Sequence, residues 1–186
     1  AKRTDAGTTA ATVNDTAYKD GNYAITKVDG SLVVAQKEVA LSAAKTYDGG
    51  KTLTGSQLAI ATGVGTETLN YTSATINSKD VKDNSTNFVD AVALTDGTGK
   101  ASNYKFTAAR SASNTVALSK ANLTLTANSD TSKVYNGTEQ SVSGFAITSG
   151  SLKGTDSAAV DLASITAGAK RTDAGTTAAT VNDTAY

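Results

Sequence analysis

Apolar and small polar residues alternate along much of the chain, so that Val39 is followed two places on by Leu41, Val116 by Leu118, Leu123 by Leu125 and Phe145 by Ile147. In extended backbone successive side chains point to opposite faces, so a period of two gives one apolar and one wetted face and predicts half-buried strands. Ile25 and Val28 read as part of a further strand. Abundant Thr and Val suit a pleated surface. Asp20-Gly21-Asn22, Asp29-Gly30, Asp48-Gly49-Gly50, Asp96-Gly97 and Asn136-Gly137 separate the runs, each offering Gly or Asn where a tight turn needs positive φ. Only residues 55–59 and 156–160 read as helical turns, and both are short. Many short strands between tight turns predict a mainly-β chain of small antiparallel sheets. Without a single Pro, strand edges must be guarded by neighbours, by shortness or by charges such as Lys79, Lys82 and Lys105.

The pattern also repeats. Residues 169–186 match residues 1–18 letter for letter, a period of 168 residues, which is the signature of a tandem array. A looser repeat lies inside it. Val39-Ala40-Leu41-Ser42-Ala43 returns 84 residues later as Leu123-Thr124-Leu125-Thr126-Ala127. Lys45-Thr46-Tyr47-Asp48-Gly49 returns as Lys133-Val134-Tyr135-Asn136-Gly137, and Asn22-Tyr23-Ala24-Ile25-Thr26 is echoed by Asn103-Tyr104-Lys105-Phe106-Thr107. The expected organisation is therefore two related domains per period. Residues 1–36 are the C-terminal part of a domain begun in the preceding repeat, 37–119 are a complete domain, and 120–186 are the N-terminal part of one that continues into the next. Ile25, Leu32 and Val33 are then expected to find much of their core in the preceding copy.

Paired Tyr47-Asp48-Gly49 and Tyr135-Asn136-Gly137 near the start of each domain, with the run from Asn22-Tyr23 to Val33-Val34 closing one, resemble the YDG and MBG repeat domains. Those domains build the shafts of large bacterial surface adhesins of the filamentous-haemagglutinin, two-partner-secretion type. The resemblance covers essentially the whole chain, 37–119 being YDG-like and 120–186 MBG-like; Asn136 departs from the usual Asp but tolerates the same turn. It implies an extracellular, cell-surface spacer module, with adjacent identical repeats as head-to-tail partners and other fibres or cell-surface glycans as further ones. For the fold, strands alone fit an Ig-like sandwich; a β-grasp-like sheet is the alternative if residues 156–163 form a genuine helix. Either way the expected product is an elongated fibre, serving adhesion or a biofilm matrix.

Composition narrows the chemistry. With no Cys and no His, a Ser-His-Asp or Cys-His arrangement is excluded, as is a zinc site of the usual nitrogen and sulfur type. No catalytic, cofactor or metal residue is assigned, and the chain reads as not an enzyme. A net charge of zero with interspersed signs provides no footprint for nucleic acid, and no run is apolar enough to insert in a membrane. Gly97-Thr98-Gly99-Lys100 resembles the tail of a phosphate loop, but Ala101 stands where Ser or Thr would hold magnesium. Calcium is the one cofactor left open, through Asp80, Asp83 and Asn84 or through Asp20 and Asn22, although neither set supplies six oxygens in line. In a chain with only seven Tyr and three Phe, Tyr47 and Tyr135 are read as core anchors that with Phe88, Phe106 and Phe145 make up most of the large core, and Tyr23 and Tyr104 as further structural residues. The rival function is a repeated glycan- or protein-binding module acting through avidity.

Overall fold

The computed structural model describes residues 1–19 and 21–182. Asp20, part of one turn signal and one calcium reading, lies outside these, as do residues 183–186 at the end of the second copy. The chain is mainly β, in several small and mostly antiparallel sheets. It divides into two compact units, the first made of Ala1–Lys45, Lys51–Ser78 and Lys82–Ala117, the second of Thr46–Gly50, Lys79–Val81 and the chain from Leu118 onward.

The first unit contains β1 (Gly7–Ala11), β2 (Gly30–Val34), β3 (Lys37–Glu38), β4 (Ala40–Thr46), β5 (Thr52–Leu53), β6 (Leu58–Ala61), β7 (Leu69–Ile76), β8 (Val89–Asp96), β9 (Tyr104–Lys105) and most of β10 (Asn114–Ser119). The β1 and β2 strands form a hairpin ladder in which Gly7 faces Val34 and Ala11 faces Gly30. The β4 strand sits between β6 and β10, and β7 between β5 and β8. Inward Leu41, Ala43 and Lys45 alternate with outward Ser42, Ala44 and Thr46 along β4, as the period of two requires.

Two parallel pairings depart from the antiparallel expectation. Lys37 and Glu38 pair in parallel with Tyr104 and Lys105. Leu41 N–H donates to the Ser113 carbonyl (2.7 Å) and Tyr47 N–H to that of Ser119 (2.9 Å), so β4 and β10 also advance in the same direction. The cause is chain length: opening and closing strands are separated by the whole unit, and a long crossover permits parallel pairing where a tight hairpin cannot.

In β7, Leu69 and Ile76 are both buried although an odd number of steps separates them. A bulge between Tyr71 and Ser73 resolves this by taking one residue out of the ladder and so shifting the inward face from odd to even positions. The same ladder slips again opposite Asp90, where Thr75 faces Ala91 and Ile76 faces Val89.

The core is aliphatic: Val39, Leu41, Leu53, Leu58, Leu69, Ile76, Val89, Val116 and Leu118 are all buried, each contributing about 1.5–3 kcal/mol through surface removed from water. This corrects the aromatic core expected above. Phe88, Phe106 and Phe145 are only half-buried, and Tyr135 is 62% exposed. Residues 128–139, which include Tyr135, belong to no strand. Nor do residues 21–29 form the expected strand: Ile25 and Val28 are exposed. Three steps apart, they cannot share one face of a strand.

The second unit contains β11 (Thr124–Ala127), β12 (Gln140–Ser143), β13 (Phe145–Ser149), a single turn of helix α1 (Ala158–Asp161), β14 (Thr166–Arg171) and β15 (Thr180–Asn182). The β11 strand pairs with β13, and β14 lies between β12 and β15. Leu162 and Ile165 form its buried centre, while Leu123 and Leu125 remain half-buried. The other expected helical turn is a 3-10 turn at Gly55–Gln57, where the Gln57 side-chain oxygen accepts from Thr54 N–H at 2.8 Å.

Candidate functional site

Both tyrosine-turn motifs build the same local device. Gly49 and Gly137 take φ of +81° and +79°, a region in which a Cβ would strain the backbone. Asp48 Oδ1 accepts the Gly50 N–H at 2.9 Å, and Asn136 Oδ1 accepts the Thr138 N–H at 3.0 Å. An Asx turn needs only an oxygen acceptor, so Asn replaces Asp without loss of the geometry.

The tyrosines themselves diverge. Tyr47 donates its hydroxyl to the Asp156 carboxylate, 3.0 and 2.9 Å from its two oxygens, while Lys79 Nζ donates to the same hydroxyl at 3.2 Å. The ammonium also lies 5.4 Å from the ring centre, within cation–π range. The Lys79 hydrogen bond pulls the phenol pKa down, but burial and the Asp156 carboxylate push it up and prevail. Tyr47 is therefore a neutral donor that ties Asp156, Lys79 and the Asp48-Gly49 turn together. Tyr104, the one fully buried aromatic among the described residues, donates to Glu67, and that carboxylate together with burial raises its pKa. Tyr23, in the matching motif, is 73% exposed, since β9 has β3 as a ladder partner whereas residues 21–29 pair with no strand.

Two buried asparagines were not anticipated. Asn114 accepts the Val89 N–H at 2.8 Å and donates to the carbonyls of Val89 (2.9 Å) and Thr107 (3.1 Å). Asn87 accepts from Ser78 N–H and Phe88 N–H, both at 3.0 Å, and donates to the Ser78 carbonyl at 2.7 Å. Each acts as a side-chain substitute for missing ladder bonds. Asn114 shares the inward parity of Val116 and Leu118, the only sequence signal that could have revealed it.

Of the calcium candidates, Asp83 accepts from the Ser78 hydroxyl at 2.6 Å and from Lys82 at 3.1 Å, and these two contacts lower its pKa. Asp80 is paired with Lys79 at 3.4 Å. Among the described residues no three His, Cys, Asp or Glu side chains gather where they could hold a metal. The Gly97-Thr98-Gly99-Lys100 stretch is knitted to its neighbour strand: Gly99 N–H donates to the Thr68 carbonyl at 3.1 Å, and Thr68 N–H to the Thr98 hydroxyl at 2.8 Å.

Within the duplicated segment the arginine loop folds alike in both of its settings, although Gly7–Ala11 form a ladder and residues 175–179 do not. Arg3 donates to the carbonyls of Asp5, Ala6 and Thr8 and to the Thr9 hydroxyl; Arg171 donates to those of Asp173, Ala174 and Thr176 and to the Thr177 hydroxyl. A guanidinium with its five donors in a fixed fork closes each loop on itself. In the first copy the loop is also seated on residues 100–103. There Asp5 accepts from Lys100 (2.7 Å) and Asn103 (2.9 Å), and Asn103 Oδ1 accepts the Ala6 N–H at 2.7 Å.

In the second unit a cavity of about 460 Å³ opens beside β11, lined by Tyr47, Leu123, Leu125, Leu152, Leu162 and Ile165 among others. Its lining also includes Lys120, Lys153, Asp156 and Asp161. No family model, curated protein or solved structure matches the chain.

Proposed function

We propose that this chain is a repeat unit of a long extracellular bacterial fibre or adhesin stalk, acting as a spacer in adhesion or a biofilm matrix, with identical repeats as its head-to-tail partners. The observation that carries the reading is the Arg3 and Arg171 loop, one sequence taking one closed geometry at two places 168 residues apart. A segment that folds the same way wherever it recurs is what a modular array requires. Corresponding strands support it further: β4 pairs with β6 as β11 pairs with β13, and β7 joins β5 to β8 as β14 joins β12 to β15. Within this reading the parallel β4 and β10 favour a grasp-like arrangement over an Ig-like sandwich, although the one-turn α1 is short for a grasp helix.

The test is length. A domain of 84 residues is about 30 Å across by compact-domain scaling, so chains of two, four and eight repeats should lengthen by about 60 Å per repeat in electron micrographs or scattering. Growth of the radius only as the cube root of mass would refute the stalk. A glycan- or protein-binding module is the second reading, favoured by the exposed rings of Tyr23 and Tyr135; monovalent binding of one repeat on a glycan array, lost in a Y23A/Y135A variant, would establish it instead.

A further inference from the structure

We infer that the second unit holds an open strand slot, filled by residues 30–34 of a second copy of this chain. In the first unit β4 is flanked on both sides, by β6 and by the parallel β10. Among the described residues the corresponding β11 has a ladder with β13 alone; β15 approaches it without forming one. Burial records the difference. Val39, Leu41 and Ala43 are 3%, 2% and 2% exposed, while their counterparts Leu123, Leu125 and Ala127 are only half-buried, and the two leucines border the cavity.

The chain carries the strand that would close this gap. Gly30-Ser31-Leu32-Val33-Val34 stands 84 residues before Asn114-Thr115-Val116-Ala117-Leu118, with Leu32 and Val34 at the places of Val116 and Leu118. Val116 and Leu118 are each 5% exposed on β10, whereas Leu32 and Val34 are half-buried on β2.

A second edge of the slot is also visible. β2 is held by Gly7–Ala11, and the same five residues recur at 175–179, where they have no ladder. A β2 strand arriving from a second copy can therefore trade its β1 partner for an identical sequence in an identical register. That exchange loses and regains the same ladder, which is the condition for low-cost swapping between protomers. The net gain is on its other edge, where a parallel ladder forms with β11 and sets Leu32 beside Ala127, diagonal to Leu125. The mapping fixes that register: Ser42 beside Thr115 in the first unit corresponds to Thr126 beside Ser31.

This inference deepens the stalk reading, on which it rests, by naming the joint between repeats, and its test separates the two. The chain has no cysteine, so paired cysteines report register cleanly, and Ser31, Val33 and Thr126 are all exposed, sparing the core. In the full 186-residue chain, oxidised S31C/T126C should give dimers and higher species on a non-reducing gel, at about tenfold the yield of V33C/T126C. Two residues out of register, the Cα atoms stand about 8 Å apart, beyond disulfide reach. An L32D/V34D change in the S31C/T126C background should abolish the ladder of species while the first unit stays folded by its amide spectrum. Equal yield from both cysteine pairs, monomer alone, or persistence in L32D/V34D would overturn the slot. If the cross-links fail while multi-repeat chains still lengthen linearly, the slot is wrong and the stalk stands; cross-links without linear lengthening establish the slot and refute the stalk.

Discussion

At the residue scale, the groups that hold the first unit together are not those with the largest rings. Asn114 satisfies three backbone groups from inside the core, and removing it strands buried donors and acceptors that then go unpaired. Asn114→Ala should destabilise the fold by about 3 kcal/mol, whereas Tyr135→Ala, at an exposed ring, should change stability by less than about 0.5 kcal/mol. Urea titration of both variants checks the contrast, and a reversed order would return the core to the tyrosines. Asp5 supplies a pH test. Its pKa is lowered, first by Asn103 and then by Lys100, so its contacts favour the docked loop above the usual carboxylate value and lose that effect as pH falls through the lower folded value. Backbone amides of residues 3–9 should therefore show a transition below pH 3.8, and Asp5→Asn should remove it.

At the element scale, regular alternation made β4, β10 and β11 readable, because one parity of each strand faces the core. The β7 strand was not, since its bulge moves the inward face between Leu69 and Ile76 and no local residue type announces the slip. Tyr23 and Tyr104 share a motif and differ in fate because a ladder partner is a nonlocal property. The Tyr47-Asp48-Gly49 turn was legible, but the Lys79 and Asp156 that bind its hydroxyl lie 32 and 109 positions away. Its two glycines make a controlled pair. Around Gly137 an added Cβ meets open space, while at Gly49 it would lie 2.7–2.9 Å from the backbone of Lys153 and Gly154. Gly137→Ala should cost about 1–2 kcal/mol from backbone strain alone, and Gly49→Ala distinctly more; melting temperatures of the two variants decide it, and equal losses would mean that the close approach has no energetic weight.

At the scale of the whole molecule, the proposed role turns on what happens when the chain is under tension, and the parallel contact between β4 and β10 governs that response. The N-terminal end of β4 and the C-terminal end of β10 lie at opposite ends of their shared ladder. Pulled there, the strands slide along one another, and every hydrogen bond between them is strained at once instead of parting in succession. This ladder should therefore yield abruptly at high force. In single-molecule stretching, handles at residues 38 and 119 should give rupture forces several times those from handles at residues 46 and 119, which peel the same ladder from one end. Equal forces in the two directions would mean that the ladder does not bear the tension. Such a ladder would make the proposed spacer a mechanical fuse, resisting ordinary drag and lengthening by whole units when overloaded.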